Sequence, residues 1–375
     1  MIPYGRQHID DADIEAVTAV LRSPFITQGP VVEEFEAELC RITGAAHAIA
    51  FANGTAALHA ACHAGELGPG ERLVTTPLTF IASANCAKFV GADVGFVDID
   101  PATLNIDVEQ VPQDADALVA VHYAGLPVQL DRLAHRPRLV IEDASHAIGA
   151  IGPDGPVGNC ARSDMTTFSF HPVKTITSGE GGAVTTNDDR FAERLRRFRT
   201  HGIIRKDDFE PWYYEAVELG YNYRLTDFQA ALGRSQLTKL DNFIERRNEL
   251  AAVYDRELAE LDLVRAPDVP AGQTHGRHLY PVRVDDRDGL AWRLRAAGIG
   301  TQVHYVPVHL HPLYRRDGWR PGDFPHAERA HEQLLSLPLF PSLTDAEQDH
   351  IVTTLSRLVG RVGIDELTPP RESAR

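Results

Sequence analysis

Phe51-Ala52-Asn53-Gly54-Thr55-Ala56-Ala57-Leu58 is the stretch that decides the fold. Ala48 to Ala52 reads as a strand and Thr55 to Ala64 as a helix, with a Gly-Thr turn opening that helix. Outward from it the same alternation continues. Arg72 to Thr76 reads as a strand, Ile81 to Phe89 as a helix and Val94 to Ile99 as a strand. Ala117 to His122, Leu139 to Glu142, Met165 to Phe170 and Ala183 to Thr186 read as further strands. Strands alternating with helices predict an α/β fold with a mainly parallel central sheet, covered by helices on both faces.

Before that unit, Asp10 to Arg22 has helical spacing with Asp10 as its cap. A loop with Pro24, Gly29 and Pro30 leads into a second helix over Val31 to Ile42. Beyond it, Phe191 to Phe198 and Leu225 to Glu257 turn helical. The latter is long, polar on one side, and expected to link two domains. Strands His278 to Val284 and Thr301 to Tyr305 around a helix from Leu290 to Ala297 read as a smaller α/β unit. The expected division is 1–245 as the large domain, with the N-terminal helices and a substrate loop, 246–367 as the small C-terminal domain, and 368–375 as a frayed tail.

The 375 residues carry a formal net charge of −16, which argues against a nucleic-acid partner, since that binding needs Lys and Arg to displace counterions. No window reaches the ~18 consecutive apolar residues of a membrane helix. Met1-Ile2-Pro3-Tyr4-Gly5-Arg6 lacks the apolar region of a signal peptide, so the expectation is a cytoplasmic protein with no membrane partner. Cys40, Cys62, Cys86 and Cys160 form no C-x-x-C pair, and isolated thiols are expected rather than a zinc or redox motif.

In an open parallel sheet, ligands bind beyond the carboxyl ends of the strands, and three strand ends carry chemistry here. The Gly54-Thr55 turn offers free backbone N–H groups and a hydroxyl to an anion, or serves only to turn and cap. Leu139-Val140-Ile141-Glu142-Asp143-Ala144-Ser145-His146 ends an apolar strand in two acids, able to pin a cationic ring nitrogen or to cap the next helix. Thr167-Phe168-Ser169-Phe170-His171-Pro172-Val173-Lys174 delivers a Ser and then a Lys, followed by Gly179-Glu180-Gly181-Gly182. A desolvated Lys loses its proton readily, which suits a Schiff-base nucleophile. Together the three ends supply an anion cradle, a carboxylate and a lysine.

At these residues the chain resembles the DegT/DnrJ/StrS family of pyridoxal-phosphate-dependent nucleotide-sugar aminotransferases. The matching segments are Thr27-Gln28-Gly29-Pro30, Asn53 to Leu58, Glu142 to His146, Phe168 to Lys174, Gly179 to Gly182 and Gly220-Tyr221-Asn222-Tyr223-Arg224-Leu225, in family order and spacing. The resemblance implies the aspartate-aminotransferase fold (PLP fold type I), with pyridoxal 5'-phosphate as cofactor and pyridoxamine phosphate as its intermediate form. It implies that Lys174 carries the cofactor and that Asp143 keeps the pyridine nitrogen protonated. It implies that His146 bonds the ring hydroxyl and that Phe80 stacks on the ring. Gly54, Thr55 and Ser169 match phosphate contacts, with Ala56 beside them among the cofactor-binding positions. Asn222 matches a residue that reaches the phosphate of the neighbouring subunit, which implies a homodimer with shared sites.

Within the family the resemblance is to the aminotransferase of pseudaminic-acid biosynthesis, whose product is UDP-4-amino-4,6-dideoxy-N-acetyl-β-L-altrosamine. It implies a UDP-linked keto-sugar and L-glutamate as partners. The implied substrate contacts are Tyr4, Ile26, Thr27, Gln28, Gly29, His304, Tyr305 and His309, with Arg224 facing either the site or a carboxylate. His309 and His311 lack a carboxylate in matching spacing, so no metal is expected. Rival readings are a 4-aminotransferase for another UDP- or dTDP-keto-sugar of bacillosamine, perosamine or antibiotic type, and a non-catalytic scaffold or regulator of the same fold. Sugar dehydratases of the family carry His where Lys174 stands here.

Overall fold

The computed structural model describes residues 1–205, 210–259, 261, 263 and 269–359. Seven strands form the central sheet: β1 (His47–Phe51), β2 (Arg72–Thr75), β3 (Asp93–Phe96), β4 (Ala117–Val121), β5 (Leu139–Asp143), β6 (Met165–Ser169) and β7 (Gly182–Thr186). Their spatial order is β1-β7-β6-β5-β4-β2-β3. From β6 to β3 all neighbours are parallel, while β7 runs antiparallel to both β6 and β1. The sheet is therefore mainly parallel with one reversed strand, and this is the α/β, fold-type-I architecture that the alternation predicted.

Strand periodicity sends alternate residues to opposite faces, and both faces are buried. Ile49, Phe51, Val119, Ile141 and Val184 pack under α3 (Gly54–Ala64), α4 (Ala82–Phe89) and α5 (Asp189–Arg199). Ala48, Ala50 and Ala183 pack on the other face against α2 (Pro30–Thr43), α6 (Asp227–Leu237) and the start of α7 (Leu240–Glu257). Before them α1 (Asp11–Leu21) begins at Asp10, whose side chain accepts from the Asp13 N–H in a reciprocal capping box.

A further core joins α7 to β8 (Tyr280–Arg283), α8 (Arg287–Ala296), β9 (Leu334–Leu337) and α10 (Asp345–Val359), with α9 (Pro325–Gln333) before β9. Two expectations fail here. The long helical stretch over 225–257 is interrupted: α6 ends at Leu237 and α7 starts at Leu240, with the Thr238 hydroxyl donating to the Ser235 carbonyl at 2.6 Å at the break. Thr301 to Tyr305 is not a strand; it makes one bridge, Gln302 to Ser336, and β9 takes the place beside β8. Residues 360–375, with the end of the 246–367 unit and the tail 368–375, lie outside the described residues. Among the described residues no helix is long and apolar enough to cross a membrane, and no cluster of three or more His, Cys, Asp or Glu is arranged to hold a metal ion.

Candidate active site

The carboxyl ends of β1, β2, β4, β5 and β6 open onto one cavity of about 940 Å³. Its lining includes Asn53, Gly54, Thr55 and Ala56 after β1, Thr79 and Phe80 after β2, Asp143, Ser145 and His146 at β5, and Ser169 and Lys174 at β6. Tyr4, His278, Gln302, Val303, His304 and Tyr305 close it from the other side. Among the described residues, Lys174 is the one Lys or Arg on this wall.

Close backbone approach builds the anion side. Asn53 caps α3, its Oδ1 accepting from the Ala56 N–H at 2.8 Å. That amide is thus already engaged, while Gly54, Thr55 and Ser169 line the cavity beside it. A Cβ at Gly54 would come within 2.9 Å of Ser169 Cβ, and one at Gly182 within 2.5 Å of the Asn53 carbonyl. Only glycine lets α3 start this near the end of β6.

Lys174 follows β6 in a turn whose N–H donates to the His171 carbonyl at 2.9 Å. Burial pulls its ammonium down to about 8, against the charge of Asp143, which pushes the other way. Asp143 is buried; its Oδ2 accepts from Ser83 Oγ at 2.7 Å and its Oδ1 from the Ser145 N–H at 3.1 Å. His146 Nε2 lies 3.1 Å from Tyr305 Oη, and its ring sits 4.4 Å from that of His278. The Nδ1 atoms of His146 and His278 are buried without a hydrogen-bond partner among the described residues. Burial holds both imidazoles well below their usual range, helped for His146 by the Lys174 charge. Burial takes His304 to about 3, its Nδ1 lying 2.9 Å from Ser336 Oγ. These rings are neutral hydrogen-bonding groups, not cations.

The model of the DegT/DnrJ/EryC1/StrS aminotransferase family matches residues 7–356. The chain belongs to that family. A UDP-4-amino-4,6-dideoxy-N-acetyl-beta-L-altrosamine transaminase of Campylobacter jejuni is 38% identical over 332 residues, covering 84% of this chain and 86% of the relative. The putative sugar aminotransferase Spr1654 of Streptococcus pneumoniae, solved in PMP and PLP forms, superposes in the former with a TM-score of 0.91 at 28% identity, covering 96% of this chain and 100% of the other. Helicobacter pylori PseC, described as an aminotransferase involved in the biosynthesis of pseudoaminic acid, gives 0.88 at 30% identity, covering 96% and 99%.

The DegT/DnrJ/EryC1/StrS aminotransferases use pyridoxal phosphate, and the residues on this wall fit it. A lysine of lowered proton affinity, a buried carboxylate, an imidazole nitrogen unpartnered among the described residues and a glycine-tight amide turn are the groups that an aldehyde, a ring nitrogen, a ring hydroxyl and a phosphate require. Phe80 stands more than half exposed in the cavity, 6.1 Å from the Tyr305 ring.

Other expected residues lie off this chain's cavity. Ile26, Thr27, Gln28 and Gly29 do not line it; Thr27 bridges to Thr226, and the Gly29 N–H donates to Asp227 Oδ2 at 2.8 Å. Asn222 is exposed and Arg224 half-buried, both away from it, although Tyr221 and Tyr223 do reach the wall. His309 corrects an expectation outright. It is fully buried, 3.0 Å from Glu328 and packed on Phe324, so it has no path to a ligand in the cavity. Sequence reasoning missed Ser83, Thr79 and His278. Ser83 stands one helical turn after Thr79, and that i, i+4 hydroxyl pair beside Phe80 was the available signal.

Proposed function

We propose that this sugar aminotransferase moves the amino group of L-glutamate to the 4-keto carbon of a UDP-linked deoxy-N-acetylhexosulose, giving UDP-4-amino-4,6-dideoxy-N-acetyl-β-L-altrosamine. The observation that carries the chemistry is the half-buried Lys174 with its lowered proton affinity, facing the same cavity as Asp143. The C. jejuni relative supports the choice of sugar. Pyridoxal phosphate, when bound, supplies the electron sink for breaking the donor's Cα–H bond.

The chain's own residues do the rest. Lys174 holds the cofactor and, once released, moves a proton at its Nζ; a value of about 8 lets it give and take that proton near neutral pH. Asp143 pairs with the ring nitrogen. His146 orients the ring hydroxyl, with Tyr305 holding its other nitrogen. Gly54, Thr55 and Ser169 bind the phosphate, and Phe80 covers the ring face. Tyr4, His304 and Tyr305 contact the sugar nucleotide. Asn222 and Arg224, off their own cavity, serve the site of a second copy, which makes the working unit a homodimer; the exposed placement of Asn222 supports this. The division at 1–245 and 246–367 belongs to the same proposal. So does a cytoplasmic location, supported by cysteines that are free among the described residues.

The test is incubation with glutamate and a panel of 4-keto UDP- and dTDP-sugars, read by mass spectrometry. Amination of the UDP-N-acetyl sugar is expected. Turnover of dTDP-sugars alone overturns the sugar assignment, and undiminished turnover by Lys174→Ala overturns the chemistry.

A further inference from the structure

Ser83 sits in the first turn of α4, where a buried hydroxyl ordinarily bonds the backbone of its own helix. This one reaches 60 residues away instead. Its Oγ lies 2.7 Å from Asp143 Oδ2 and 2.8 Å from Thr79 Oγ1. Ser83, Thr79 and Asp143 are all buried. A hydroxyl has one proton and a carboxylate only accepts. Ser83 therefore donates to Asp143 and accepts from Thr79, which sets the direction of both bonds. The Ser145 N–H holds the second carboxylate oxygen from the other side. Donors from two separate elements thus fix the plane of the carboxylate that lines the cavity.

We propose that Ser83, backed by Thr79, is the positioning residue that aims the Asp143 carboxylate at a ring nitrogen bound in the cavity. The inference rests on the pyridoxal phosphate reading above. Without the Ser83 hydroxyl, one oxygen of Asp143 loses its charge-assisted donor and the carboxylate turns about its remaining bond. Nothing in the relay touches the anion cradle or Lys174, so the effect falls on how the ring is held.

The experiment is a pyridoxal phosphate titration of the cofactor-free full chain, with visible circular dichroism at saturation and thermal midpoints of the cofactor-free proteins. Ser83→Ala is expected to weaken cofactor binding about tenfold and to change the dichroism per bound cofactor. Thr79→Val, which keeps the volume and removes the donor, is expected to weaken it about threefold, and Thr79→Ser to restore wild-type behaviour. Ser83→Ala with wild-type affinity and spectrum overturns the relay. So does Thr79→Ser failing as far as Thr79→Val at equal thermal midpoints, a result that needs no folded Ser83 variant. A wild-type chain that does not bind pyridoxal phosphate overturns the functional reading itself; a wild type and a Ser83→Ala variant that bind equally overturn only the relay.

Discussion

Replacing Lys174 by Met in the cofactor-free protein should stabilise the fold near neutral pH. Burial lowers this ammonium from 10.5 to about 8, which means that the folded state resists the proton. Between those two values the unfolded chain binds more protons than the folded one, so stability rises with pH across that window. Below pH 8 the penalty is present in full. The gap, at ~1.4 kcal/mol per pH unit, is worth about 3 kcal/mol. Met keeps the length and apolar stem of the side chain and removes the charge. It also removes the positive charge that favours the Asp143 carboxylate, so the expected gain at pH 7 is about 2–3 kcal/mol. Urea unfolding of both cofactor-free proteins at pH 7 and near pH 10.5 measures it. The advantage of the variant should shrink toward zero at the higher pH. A variant no more stable than wild type at pH 7, with a difference that ignores pH, would refute the reasoning and with it the claim that Lys174 is desolvated.

Three further outcomes are expected. Gly54→Ala places a Cβ 2.9 Å from Ser169 Cβ, and should cost about 1–3 kcal/mol in urea unfolding while loosening pyridoxal phosphate binding in a titration. Tyr305→Phe leaves the Nε2 of His146 without its 3.1 Å partner and should weaken cofactor binding by about 1–2 kcal/mol, read by the same titration. His309→Ala should leave cofactor binding unchanged yet lower stability by about 2 kcal/mol in urea unfolding, because it opens the pocket beside Phe96 and Phe324 and takes the imidazole from Glu328, which among the described residues keeps only the Gly322 and Phe324 N–H donors.

The strand ends were legible because parallel strands buried on both faces are short apolar runs, and whatever polar residue follows them must face the rim. Asp143 and Lys174 were found that way. The break before α7 was not legible, since neither Thr238 nor Lys239 is a helix breaker by type; a local hydroxyl bond marks it. β9 hid inside Leu334-Leu335-Ser336-Leu337, four residues that run straight on from a helix and pair with a strand some fifty residues earlier. His309 misled for a related reason. Its neighbours in sequence line the cavity, but the chain turns at Pro307 and carries it to the Glu328 side. Residues 26–29, Asn222 and Arg224 match the family pattern without lining this chain's own cavity, and nothing in residue type or spacing tells which cavity wall a matched residue joins.

Burial, more than charge, keeps His146, His278 and His304 neutral on the cavity wall. A buried arginine beside Lys174 would hold the amine unprotonated, but would also set a permanent cation against any ring nitrogen paired with Asp143. His146, His278 and His304 offer polar contacts without that field, because burial keeps their protons off. Desolvation, working against the Asp143 charge, sets Lys174 near 8, and the turn at the start of α3 offers backbone amides to an anion without adding a side-chain cation. The half-buried Lys174 and the buried Asp143 are left as opposed charges on the wall, with Glu180 the one other formal charge on it among the described residues. Introducing an arginine at Ser145 would break this balance, and its first effect should fall on the ring nitrogen held by Asp143 rather than on the phosphate.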